Sequence, residues 1–150
     1  MIADFHYLKP SSLKEALEML SEHKEDCKVI CGGQSLLILL RQGLIVTGHL
    51  LDIKRLDELS YVNFDEAEGL KIGATTTHRA IEKSGLINDK FRVLADMESK
   101  LATIQTRNWG TIGGNLAHAD PAGDPAPVLI SMGASVKVGS ASGTRVISLD

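Results

Sequence analysis

The segment Arg107-Asn108-Trp109-Gly110-Thr111-Ile112-Gly113-Gly114-Asn115-Leu116-Ala117-His118-Ala119-Asp120-Pro121-Ala122-Gly123-Asp124 decides how this sequence is read. Its paired glycines, Gly113 and Gly114, stand between Thr111 and Asn115, whose side chains can donate hydrogen bonds to phosphate oxygens. Two aspartates follow. Asp120 precedes Pro121 as a turn residue. Asp124 precedes Pro125, and an acid at the cap with proline at the first helical position predicts a helix to about Met132. The Asp124 carboxylate also suits ribose or adenine donors, and both of its roles can hold at once.

A second pair of glycines lies upstream. Lys28 to Cys31 reads as a short buried strand, Gly32-Gly33-Gln34-Ser35 as a loop, and Leu36 to about Gln42 as an apolar helix ended by Gly43. Glycines at a strand-to-helix corner let the backbone approach a ligand, and the free N–H groups of the helix start face outward. Ser35 adds a hydroxyl donor. Such a corner suits a diphosphate, although a Gly-Gly between strand and helix is more often just a turn. A Rossmann dinucleotide site would need three glycines spaced for tight turn, ligand approach and helix packing. Here Gln34, Ser35, Leu36 and Leu37 follow the pair, so that reading fails, although Asp52 falls 20 residues after Gly32, where a ribose-binding acid would stand.

Around these loops the chain reads as α+β. Phe5 to Leu8 is extended, and Ser11 or Ser12 caps a helix from Leu13 to about Glu22, with Leu13, Ala16, Leu17 and Leu20 on one stripe. His49 to Ile53 is a strand, which makes residues 1–58 a small β-α-β subdomain. In residues 59–150, strands are expected at Tyr61–Phe64 and Leu70–Ile72, and helices at Thr77–Glu82 and Phe91–Leu101. A glycine-rich stretch from Gly110 to Gly123 follows. A hairpin of Ser135–Val138 with Arg145–Leu149 ends the chain. Strands adjacent in sequence predict a largely antiparallel second subdomain.

Composition narrows the function. Aromatic residues are 4% of the chain, so the core is aliphatic. A net charge of −3, with acids and bases interspersed, gives no footprint for nucleic acid. The opening Met1-Ile2-Ala3-Asp4 lacks the regions of a signal peptide, and no apolar run approaches the roughly 20 residues of a membrane span. A cytoplasmic location is therefore expected. Cys27 and Cys31 are too few for an iron–sulfur cluster, which needs four ligands in most types, and read as small buried residues flanking a strand. His6, His23, His49, His78 and His118 show no metal-ligand spacing. His118 lies beside the second glycine pair, whereas His78 starts a helix and reads as structural. Trp109 suits a shield for a ligand, a core position or an interface. No catalytic side chain and no metal site is assigned.

Three segments in order carry a resemblance: Cys31-Gly32-Gly33-Gln34-Ser35-Leu36-Leu37, Gly73-Ala74-Thr75-Thr76-Thr77-His78, and the segment 107–124 with its aspartate thirteen residues after Thr111. Together they resemble the FAD-binding medium subunit of the molybdenum hydroxylases, the family of carbon monoxide dehydrogenase and xanthine dehydrogenase, over essentially the whole chain. The resemblance implies an FAD-binding fold of two α+β subdomains similar to vanillyl-alcohol oxidase (PCMH type), with FAD extended between them. It implies that Gly32, Gly33, Gln34 and Ser35 form one pyrophosphate loop, and Thr111, Gly113, Gly114 and Asn115 the other. Asp124 then faces the ribose side, Leu101 packs on the cofactor, and Thr76 or Thr77 lines the cleft.

The implied function is an oxidoreductase subunit passing electrons from [2Fe–2S] clusters to FAD and an external acceptor. The clusters belong to a small iron–sulfur subunit, and the molybdenum cofactor to a large subunit. Relatives in the family continue past Asp150 with a C-terminal domain, so the second subdomain is expected to be incomplete here, prone to self-association or to pairing with a complementing chain. The competing expectation is a truncated, non-enzymatic fragment or interaction module that keeps the fold without FAD.

Overall fold

The computed structural model describes residues 4–149; Met1 to Ala3, used in reading the start of the chain, and Asp150, used in reading its stop, lie outside the described residues. The first half runs β1 (His6–Leu8), α1 (Leu13–Glu22), β2 (Cys27–Ile30), α2 (Leu36–Arg41) and β3 (His49–Asp52). Helix α1 begins where its serines predict. Ser12 Oγ accepts from the Glu15 N–H at 3.2 Å, while Ser11 donates its N–H and hydroxyl to the Glu15 carboxylate at 2.6 Å. The reciprocal bonds satisfy donors that the first turn leaves open.

The three strands form one parallel sheet in the order β1-β3-β2, with His49 opposite both His6 and Cys27. One cluster of buried side chains gathers Ala16, Cys27, Leu51 and Leu56. A second gathers Ile30, Leu40 and Leu50. A parallel sheet alone would suit the Rossmann reading, but the strand order does not: the last strand lies between the first two, and the glycine corner follows β2 rather than the first strand. Asp52 is also occupied. It accepts from the Tyr7 hydroxyl and pairs with Lys54 at 2.9 Å.

In the second half every strand pairing is antiparallel, but the strands stand as two separate hairpins, β4 (Val62–Asp65) with β5 (Gly69–Ile72) and β6 (Ser135–Ser140) with β7 (Gly143–Ser148). Helices dominate the remainder: α3 (His78–Lys83), α4 (Gly85–Lys90), α5 (Arg92–Lys100), α6 (Ile104–Trp109), α7 (Ile112–His118) and α8 (Pro125–Ser131). Their core is aliphatic, centred on Ile81, Ile87, Leu94, Ile112 and Leu129. Inside it lies a hydrogen-bonded pair of polar side chains. His78 Nδ1 meets Glu98 at 2.9 Å, and Glu98 is fully buried.

Two expectations need correction. The glycine-rich stretch is not a loop: Gly113 and Gly114 sit in the first turn of α7, whose N-cap Thr111 accepts from the Gly114 N–H through its hydroxyl. Close packing overrides glycine's poor helix propensity, since a Cβ on Gly113 would lie 2.6 Å from the Ala74 carbonyl oxygen. Asp124 stands at the N-cap of α8 but makes no side-chain cap hydrogen bond. Its backbone is helical (φ −65°, ψ −35°) instead of extended. Pro125 and Pro127 also remove two of the first-turn donors that a cap would serve.

Candidate functional site

The two glycine segments meet. A Cβ on Gly32 would lie 2.2 Å from the Trp109 carbonyl oxygen and 2.8 Å from Gly110 Cα, so the missing side chain lets the two backbones touch. Burial pushes the Cys31 thiol above its usual value, and the neighbouring Thr111 hydroxyl only partly opposes this. Both cysteines are free thiols, Cys27 buried at the start of β2 and Cys31 half-buried just after it.

Beside this seam opens a cleft of about 780 Å³. Gly32, Gly33, Gln34, Ser35, Leu101, Thr111, Gly113, Gly114 and Asn115 line it together. Asp124 does not. It is exposed on the stretch beyond Asn115, where a Cβ on its neighbour Gly123 would come within 3.7 Å of Asn115 Oδ1. Thr76 and Thr77 do not line the cleft either. Thr76 Oγ1 bonds the Tyr61 backbone, and Thr77 caps α3 through the Ala80 N–H.

The two glycine pairs differ in what they offer. In the first, Gly33 adopts φ +70°, a conformation that favours glycine. Among the described residues, the N–H groups of Gly33, Gln34, Ser35 and Leu36 reach no acceptor. Ser35 makes no cap bond, so its hydroxyl is available too. In the second pair the donors are already used. The N–H of Ile112 bonds Thr76 O at 3.1 Å, and that of Gly113 bonds Ala74 O at 3.0 Å. The Gly114 N–H bonds the Thr111 hydroxyl, which is buried. What remains on this side is the open face at Gly114 and the Asn115 amide.

Several lining residues escaped sequence reasoning. Lys28 on β2 and Lys137 on β6 bring positive charge, and among the described residues no acidic side chain lines the cleft. Val136, Val138 and Ile147 from the β6–β7 hairpin supply apolar lining, as do Ile45 and Leu39 from the first half. No spacing in the sequence links Lys28 to Lys137; only the fold does. His118 lines the cleft at the end of α7, and His78, read as structural, also reaches it.

The sequence of residues 3–150 matches the family described as FAD binding domain in molybdopterin dehydrogenase. The chain belongs to this family. Its relatives include the glyceraldehyde dehydrogenase medium chain of Sulfolobus acidocaldarius, 36% identical across 96% of this chain and 50% of that one. The carbon monoxide dehydrogenase medium chain of Hydrogenophaga pseudoflava is 32% identical, across 97% of this chain and 50% of its own. The solved structure of the Hydrogenophaga pseudoflava carbon monoxide dehydrogenase superposes with a TM-score of 0.95 at 32% identity, covering 100% of this chain and 52% of that one. Quinoline 2-oxidoreductase from Pseudomonas putida gives 0.94 at 32% identity, over 99% and 52%. The chain thus spans about half the length of the curated relatives it matches, and those relatives are subunits of dehydrogenases. Among the described residues, no helix is long and apolar enough to cross a membrane.

Proposed function

We propose that this chain holds FAD in the cleft between its two halves and serves as the flavin-bearing part of a molybdenum-dependent hydroxylase. The observation that carries the reading is charge. In a protein of net charge −3, the cleft presents lysines, histidines and unpaired backbone N–H groups and, among the described residues, no carboxylate. An elongated, doubly negative ligand with apolar rings fits that lining.

In this reading the N–H groups of residues 33–36 and the Ser35 hydroxyl hold the pyrophosphate from one side. Asn115 and the open face at Gly114 meet it from the other, while the buried Thr111 keeps the seam closed. Leu101 and the β6–β7 valines pack on the rings. Asp124, on the stretch beyond Asn115, takes the ribose hydroxyls. Bound FAD would supply redox chemistry that the side chains lack. The fold is of the vanillyl-alcohol-oxidase (PCMH) type, divided near residue 58.

Electrons would come from [2Fe–2S] clusters on a small subunit, drawn from substrate at the molybdenum site of a large subunit, and leave for an external acceptor in the cytoplasm. The test is purification from the native host at natural length. Stoichiometric flavin, with an iron–sulfur and a molybdenum subunit in the same fraction, is the expected outcome. Recovery without flavin and without either partner sinks the proposal.

A further inference from the structure

One wall of the cleft is the turn between α5 and α6, where Leu101 and Ala102 face the ligand space. The turn is strained. Ala102 has φ 44°, a left-handed conformation that a non-glycine residue adopts only when its surroundings impose it.

Arg107 imposes it from behind. Its Nη1 donates to the carbonyl oxygens of Leu101 at 2.6 Å and Ala102 at 3.1 Å, and its Nε donates to Glu82 at 2.9 Å. Glu82 also accepts from Arg79 at 2.7 Å. Arg107 is 6% exposed and does not line the cleft. A buried guanidinium needs a counter-charge, which Glu82 provides, and acceptors for its other donors, which the two carbonyls provide. A lysine ammonium could meet Glu82 or the turn, but lacks the planar fork that reaches both.

We propose that Arg107 is a positioning residue. It fixes the Leu101–Ala102 turn and so sets how Leu101 meets the cofactor, without touching the cofactor itself. The inference rests on the FAD reading of the cleft.

The experiment is a double-mutant cycle in the protein at its natural length. FAD affinity is read from flavin fluorescence, and the environment of bound flavin from its visible circular dichroism. Arg107→Met should weaken FAD about tenfold or more and change the flavin dichroism, since a charge-assisted hydrogen bond is lost at the turn. Arg107→Lys should recover thermal stability more than affinity. In a Leu101→Ala background, Arg107→Met should add little further loss of affinity, because both changes act through the same contact. Arg79→Met, which disturbs the Glu82 pair without reaching the turn, should leave the flavin dichroism unchanged.

Losses that simply add in the double variant, or an Arg107→Met protein with wild-type affinity and dichroism, overturn the proposal. If Arg107→Met does not fold, the cycle of Arg107→Lys with Leu101→Ala separates coupled from additive losses in the same way. A wild-type protein that takes up no FAD overturns the cofactor reading and this inference with it. Variants indistinguishable from a wild type that binds FAD overturn this inference alone.

Discussion

Gly32 rests against the carbonyl of Trp109 so closely that a methyl group on it would lie 2.2 Å from the oxygen. Backbone cannot yield as the end of a flexible side chain can. Gly32→Ala should therefore push the two glycine segments apart and cost about 1–3 kcal/mol, the usual penalty of overpacking. Chemical denaturation with unchanged m-value would measure it. A variant as stable as wild type would mean that the seam opens freely.

Gly33 and Gly114 separate two ways of losing the ligand. Gly33 sits at φ +70°, so Gly33→Asp strains the loop as well as placing a negative charge beside the proposed pyrophosphate. A Cβ on Gly114 meets only its own Thr111 hydroxyl, at 2.9 Å, and otherwise faces open space. Gly114→Asp should thus stay folded. Both variants should purify without flavin, and stoichiometric flavin in either would contradict the assigned loops.

Asp124 makes no cap bond, so its value should lie in binding alone. Asp124→Ala would ordinarily cost about 1 kcal/mol at a working N-cap. Here the melting temperature should barely move, while FAD affinity falls. A clear drop in stability with unchanged affinity would restore the capping role and remove the ribose contact.

Acid should destabilise this protein through two ion-paired carboxylates, Asp52 and Glu82. Burial alone would raise Asp52, but bonds from the Tyr7 hydroxyl, the Lys54 N–H and the Lys54 ammonium outweigh it and hold its carboxyl below the ordinary range. Glu82 behaves likewise: burial opposes, and Arg79 and Arg107 prevail. Both values are depressed in the folded state. Their stabilisation is therefore complete above the unfolded value, about 4, and is lost as pH falls through the folded values. Melting temperature should decline below about pH 4, and Asp52→Asn should flatten that decline. An identical acid limb in the variant would assign the effect elsewhere.

The first half was largely legible because periodicity marks its elements. The stripe of Leu13, Ala16, Leu17 and Leu20 gave α1 its bounds, and β2 and β3 match their apolar runs to within a residue. Strand order was not legible, because a run of Leu and Ile does not name its neighbour. Helices α4, α6 and α7 were missed, the last for another reason. Glycine-rich sequence reads as loop, and only Ala74, far upstream, explains why Gly113 belongs in a helix. The caps offered a hint: Thr103 accepts from the Thr106 N–H as Thr111 does from that of Gly114. At the site, motif residues surfaced from sequence. Lys28, Lys137 and the Arg107 bonds did not, since each depends on elements brought together from distant parts of the chain.

The strand order of the first sheet also dictates when that sheet can exist. Both β1 and β2 bond to β3, and the described strands give them no bond to each other. On a ribosome the chain would release His6–Leu8 and Cys27–Ile30 well before either had anything to pair with. Until His49–Asp52 emerges, those segments carry open edges and apolar side chains with no partner strand. The sheet then forms in one event, and fragments ending before His49 should fall to proteases that the longer chain resists.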